Sequence, residues 1–245
     1  MTSVYAEQRP RWAPGRFVAC TWTQVAAGTG AHRQLVVPDG CSDLIWHEGS
    51  LRLVGPDRGP WVASLEAGSA FAGVRLRPGA ARLLVGRMPV DEVRDVQVPL
   101  ELVASDVAAL KELAAAANSP EAVAGVLERF VGALAARYEP DAAVEHVVRL
   151  LRTGAVPPHV PALADAVGLS ERQLRRRFTE AVGYGPKTLH GILRFQHALH
   201  LGRAATTANL ADVAYQAGYA DQPHFTREVR RLAGVTPTEL LGSGE

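Results

Sequence analysis

The sequence predicts an α+β chain in two parts: a β-rich N-terminal half with flanking helices, then an all-α half of two helix-turn-helix units joined by a long helix. Three observations predict it. Short apolar runs broken by turn residues fill residues 16–76, helical periodicity takes over beyond Pro140, and the C-terminal half repeats itself at a spacing close to 51 residues. The 245 residues are enough for two ordinary domains, at roughly 100–200 residues each.

The first half reads as strands. FVACTWTQV, HRQLVV, DLIWHE, LRLVG, WVASLE and FAGVRL are separated by AAGTG, PDG, GPDRGP and AGSA, the spacing of an antiparallel β domain. A short helix, ARLLVG, and an irregular stretch, VDEVRDVQVPLELV, follow Pro78. Two Ala-rich helices are expected at about 105–117 and 120–137, the second opened by Ser119 as N-cap and Pro120 in its first turn. Leu110, Leu113, Val126, Leu127 and Phe130 on these helices either cover the β domain or form the surface of a homodimer. Tyr138-Glu139-Pro140-Asp141 marks the boundary, because proline halts one helix and aspartate caps the next. Residues 1–138 are thus expected to be regulatory, and residues 139–245 to form the helical domain, with its units at about 160–182 and 209–233. Beyond the boundary, Val144, Val147, Val148 and Leu151 form an apolar stripe, Thr153-Gly154 stops that helix, and Pro157-Pro158 forces an extended link.

Composition narrows the function. With 47% hydrophobic and 21% charged residues, the chain has ordinary globular content. It has no run of 18 apolar residues, and MTSVYAEQRPRW lacks a basic-then-apolar leader, so a cytoplasmic protein without a membrane partner is expected. Cys20 and Cys41 cannot by themselves supply a four-ligand zinc site; no metal, no cofactor and no enzymatic activity are expected. The formal net charge is only +1. Its distribution says more: from Arg149 to Arg231 twelve Arg and Lys residues stand against six Asp and Glu, and six of the eight histidines lie beyond residue 140. That bias suits a polyanionic partner.

The repeat carries the functional reading. Phe178, Gly183, Pro186 and Leu189 recur as Val229, Gly234, Pro237 and Leu240, while Ala164 and Gly168 recur as Ala214 and Gly218. In each copy an alanine lets the first helix pack closely under the second, and the glycine four residues on makes the turn. Leu174 and Phe178 face inward in the first copy, which turns Arg172, Arg175 and Arg176 outward; in the second, Phe225 and Val229 anchor, and Gln222, His224 and Arg227 face out. An isolated arginine cluster is usually a solvated helix face. Here the outward residues sit twice on the second helix of a helix-turn-helix, and Arg and Gln are side chains that read guanine and adenine edges. Duplex DNA is therefore the expected partner. Between the units, Gly185-Pro186-Lys187 opens a helix to about Arg203, roughly 25 Å long, with Lys187 and Arg194 as phosphate contacts. His197 and His200, three residues apart, read as a surface or partly buried helix pair rather than a metal site.

LADAVGLSERQLRRRF (163–178), VGYGPKTL (182–189), the RFQHAL stretch and LADVAYQAGYADQPHFTREVRRLAGVTPTEL (210–240) resemble the DNA-binding domain of the AraC/XylS family. The resemblance covers about residues 141–243 and implies two recognition helices in successive major grooves, with RNA polymerase a further partner if the protein is an activator. By matching position it assigns Arg172, Arg175 and Arg176 to the first head, and Gln222, His224 and Arg227 to the second. Pro223 departs from the usual small polar residue. VVPDGCSDLIW (36–46) and FAGVRLRPGAARLLVG (71–86) resemble the cupin-like domains that precede such units, which implies sensing of a small-molecule effector or dimerisation. No His-x-His with a downstream Glu stands here, which disfavours a metal-dependent cupin enzyme. Trp22, Trp46 and Trp61 either line an effector pocket or belong to the core. Two rival readings are a DNA-repair alkyl acceptor, which needs an activated cysteine, and an enzymatic β domain using Asp43, His47, Arg75 and Arg77, which form no recognisable constellation.

Overall fold

The computed structural model describes residues 4–27, 30–105, 107–154, 159–204 and 209–242. The expected extended link at Pro157-Pro158 lies outside them. Among the described residues no helix is long and apolar enough to cross a membrane.

The N-terminal half contains β1 (Val4–Gln8), β2 (Val18–Val25), β3 (His32–Val36), β4 (Ser42–His47), β5 (Ser50–Val54), β6 (Trp61–Leu65) and β7 (Ala70–Leu76). Helix α1 (Arg82–Val85), a 3-10 turn at Val90–Val93, β8 (Gln97–Pro99), a second 3-10 turn at Leu100–Leu102, α2 (Val107–Ala115) and α3 (Pro120–Ala135) follow. All strand pairs are antiparallel, in a six-stranded sheet ordered β1-β2-β7-β4-β5-β8 and a separate β3-β6 ribbon. Among the described residues the strands close no barrel. Two strands escaped the sequence reading. β1 is exposed along its whole length and shows no alternation, so only its ladder with β2 defines it. β8 is three residues inside the stretch read as irregular, paired with the end of β5.

Helix α3 lies over one face of the large sheet with α2 packed on it, and both complete a core with Leu44, Leu53, Val74 and Leu76. Ser119 caps α3 as expected, accepting from the Ala122 amide. The expected dimer stripe is corrected here. Leu127 is fully buried and Leu110 is 3% exposed, both in this core, and Val126 and Phe130 pack against it. Of the five residues only Leu113, at 61% exposure, is free of the core. A helix laid on a sheet must bury one stripe, and these leucines are that stripe. Glu128 sits on the same buried side of α3, 1% exposed, and its Oε1 accepts the backbone N–H groups of Arg11, Trp12 and Ala13 at 2.6, 2.7 and 3.0 Å.

The C-terminal half is all helical: α4 (Ala142–Thr153), α5 (Val160–Asp165), α6 (Glu171–Val182), α7 (Pro186–Ala204), α8 (Leu210–Gln216), α9 (Gln222–Ala233) and α10 (Pro237–Gly242). Asp141 caps α4 through the Ala143 and Val144 amides, and its other oxygen accepts from Arg177 Nε of α6 at 2.6 Å. Burial works to raise that carboxyl, but the Arg177 hydrogen bond and the capping amides together outweigh it and hold it below its ordinary value. Leu189, Ile192, Phe195 and Leu199 bury one side of α7 in a single core that also takes Leu174 and Phe178 of α6 and Phe225 and Val229 of α9. Both units are therefore fixed on one rod.

Candidate nucleic-acid interface and ligand cavity

The two units are the same device built twice. Gly168 (φ 64°) and Gly218 (φ 75°) both take the left-handed conformation that a helix-ending turn requires. The amide after each returns to the same alanine: Leu169 N–H donates to Ala164 O at 3.0 Å, and Tyr219 N–H to Ala214 O at 2.9 Å. The second helix of each unit is capped by a side chain. Ser170 forms a capping box with Gln173, and Asp221 accepts from the His224 amide at 2.6 Å. Gly183 and Gly234 close these helices in matching left-handed caps, and Pro186 and Pro237 open the next ones.

With Leu174, Phe178, Phe225 and Val229 buried, the opposite faces of α6 and α9 are open. Arg172, Arg175 and Arg176 are exposed on α6; Gln222 and Arg227 are exposed on α9, with His224 half-buried beside them. Arg175 and Arg176 pair along their own helix with Glu171 (3.2 Å) and Glu180 (3.5 Å). Exposed pairs of this kind hold about 0.3–0.5 kcal/mol, so an incoming phosphate or base edge easily displaces them. Lys187 is exposed in the first turn of α7. Arg194 is placed differently: it is half-buried, stacked 4.2 Å from the centre of the Tyr219 ring, and its guanidinium reaches Gly218 O at 3.5 Å. It braces α7 against the turn of the second unit.

The second site is a cavity of about 700 Å³ on the sheet face opposite α3, roofed by the β3-β6 ribbon. Strand alternation decides what faces it. Asp43, Ile45 and His47 of β4 line the cavity, so Leu44 and Trp46 point to the helical core. Trp46 is thereby corrected: it packs beneath the sheet. Trp22 and Trp61 do line the cavity. A register shift between Val18 and Cys20 places Val18 in the core and Trp22 and Gln24 at the cavity.

The cavity floor is an ion network. Arg75 lies 3.3 Å from Asp43, 3.4 Å from Asp39 and 3.3 Å from Glu7, while Trp22 Nε1 donates to Asp43 at 2.7 Å. Burial pushes the Asp43 carboxyl up to about 6 against the pull of Arg75. Trp61 Nε1 donates to Asp57 at 2.9 Å, and burial raises Asp57 to about 6 as well. Burial pushes the Cys20 thiol up to about 12 and the Cys41 thiol well above its ordinary value, the reverse of an activated nucleophile. Among the described residues no three His, Cys, Asp or Glu side chains are grouped to hold a metal. Sequence reasoning missed Glu7, Asp39 and Asp57 here, and also Gln196 and Arg203, which reach the cavity wall from α7. No local signal marks these residues: Glu7 stands on a strand without alternation, Asp39 and Asp57 lie in loops, and the α7 pair meets the cavity only across the domain contact.

The N-terminal domain rests on both units. Gln196 Nε2 of α7 donates to Pro38 O at 2.6 Å, and Arg94 donates to Gly183 O at 2.7 Å. A Cβ at Gly183 would stand 2.6 Å from Cγ of Pro56, and one at Gly234 would stand 3.4 Å from Cγ of Pro60. One loop, residues 56–60, thus touches the end caps of both outward-facing helices. Its Arg58 is clamped to Asp95 at 2.6 Å, and its Asp57 holds Trp61 at the cavity. Gly168 and Gly183 separate two costs. Gly168→Ala meets no atom within 4 Å and should lose only the left-handed penalty, about 1–2 kcal/mol. Gly183→Ala must also displace Pro56, so its loss of thermal stability should be the larger; equal losses would mean the loop gives way freely.

Against known proteins, a helix-turn-helix domain model matches residues 163–243, and a model for a domain of unknown function matches residues 9–99. The HTH-type transcriptional activator RhaS of Escherichia coli, strains O1:K1 / APEC and K12 / DH10B among others, is 34% identical over 79 residues. The C-terminal domain is similar, at family level, to AraC/XylS-type transcription regulators. The match takes in 32% of this chain and spans about 28% of the length of RhaS. Among solved structures, a probable AraC family transcriptional regulator from Rhodopseudomonas palustris CGA009 is 28% identical, over 42% of this chain and 96% of that one, with a TM-score of 0.38. ToxT from Vibrio cholerae is 14% identical over 99% of this chain and 98% of its own, with a TM-score of 0.45.

Proposed function

We propose that the protein is a cytoplasmic, sequence-specific DNA-binding transcription regulator of the AraC/XylS type. Its N-terminal domain, acting as cupin-like sensors do, binds a small-molecule effector in the cavity lined by Trp22 and Trp61. One observation carries the reading: two helix-turn-helix units built alike on one shared core, each leaving the outer face of its second helix open. Arg172, Arg175 and Arg176 on one face and Gln222, His224 and Arg227 on the other contact base edges and phosphates of successive major grooves. Loop 56–60, which touches the cavity through Trp61 and Asp57, carries effector occupancy to both helix ends. An alkyl-acceptor role for the β domain is disfavoured, because burial raises both thiols away from the activated state such a cysteine needs. RNA polymerase is a partner if the protein activates, and a second copy of the chain is the partner if it binds paired operators.

Lys187 tests the phosphate side of this reading. Lys187→Ala should weaken binding to all duplexes alike and make the dependence of log affinity on log salt shallower by about one unit. Titrations of labelled duplex over a salt series measure it. An unchanged slope removes Lys187 from the interface.

A further inference from the structure

A second cavity lies between the domains, about 370 Å³, on the far side of the turn that follows β7. Four arginines line it: Arg16 and Arg77 from the N-terminal domain, Arg149 and Arg152 from α4. Arg149 and Arg152 are three residues apart and share a helix face. Arg77 is fixed by its Nε, which donates to Gly15 O at 2.7 Å. Two carboxylates, Asp141 and Glu145, share the lining, and Asp141 is already taken by Arg177 and the α4 amides. Among the described residues no carboxylate pairs with Arg77 or Arg152. Burial, and then the like charge of Arg77, pull the Arg152 guanidinium below its ordinary value. Phe17, Val144 and Val148 give the cavity an apolar wall.

We propose that this cleft binds a small multivalent oxyanion, a phosphorylated or polycarboxylate metabolite, held by Arg77 of one domain and Arg149 and Arg152 of the other. Guanidinium forks match such oxygens with paired N–H donors. The anion removes the repulsion across the cleft and ties the domains together at a point separate from the effector cavity.

Pyrophosphate is the probe, added to the full chain against sodium chloride of matched ionic strength and read by calorimetry and thermal unfolding. The wild type should bind saturably and melt at a higher temperature. Arg152→Gln and Arg149→Gln, both exposed helix positions whose loss leaves the core intact, should each bind at least about tenfold more weakly, as loss of one charge-assisted contact requires. Arg33→Gln, on exposed β3, should bind as the wild type does. Three results overturn the proposal: no stabilisation beyond that of chloride, equal binding by Arg152→Gln, or a drop in DNA affinity and salt slope for Arg152→Gln in buffer free of multivalent anions. The last would assign these arginines to duplex phosphate instead.

Discussion

Glu128→Ala is expected to destabilise the N-terminal domain by about 3–5 kcal/mol, the sum of lost charge-assisted bonds and stranded donors. The carboxylate oxygen Oε1 collects three consecutive backbone N–H groups, those of Arg11, Trp12 and Ala13. All three would lose their acceptor, and Ala13 is itself buried. Trp12 depends on the same anchor: its ring lies against Gly125, and Arg129 stacks on it at 4.9 Å. Glu128→Gln keeps an oxygen in place but loses the charge, so it should cost clearly less, about 1–2 kcal/mol. Urea unfolding of the two variants measures the difference. If alanine and glutamine cost the same small amount, the strap of residues 11–13 is held by its own packing and the carboxylate is incidental.

Arg176→Ala combined with Arg227→Ala is expected to lose about 2–6 kcal/mol of operator affinity, as two independent losses of about 1–3 kcal/mol each. The two arginines sit 51 positions apart in equivalent repeats, and each is exposed on the outer face of its helix. Neither supports packing, so unfolding midpoints should stay near wild type. The single variants should relax preference each at its own sub-site. Arginines that only clamp phosphates would instead weaken every duplex evenly and leave preference intact.

The helical half was the more legible in the sequence because its signals are local. The Ala-to-Gly spacing, the Ser170 and Asp221 caps and the buried positions Leu174, Phe178, Phe225 and Val229 each depend on residues a few positions apart, and each stands where the spacing puts it. The β half depended on long-range pairing. β1 has no apolar face of its own and exists through β2. Trp46 and Trp22 look alike in sequence, yet they differ in side, because the register shift in β2 and the alternation of β4 are set by neighbouring strands. The packing of Arg194 was illegible for a related reason: its ring partner, Tyr219, is 25 residues away and meets it only once the second unit folds onto α7. The contacts of loop 56–60 with the end caps of both units have no sequence signature at all.

Spacing tests the central claim most directly. Two heads fixed on one core should tolerate a single separation of their sub-sites, about one helical turn or 10 bp. From a duplex selected by the full-length protein, variants are made with about 5 bp (half a turn) or about 10 bp (a full turn) inserted between the sub-sites, and affinities are compared at one salt concentration. Both insertions should reduce binding to that of a single sub-site, the half turn by rotating one groove away and the full turn by exceeding the reach of α7. Equal affinity for all three spacings would contradict two rigidly held reading heads.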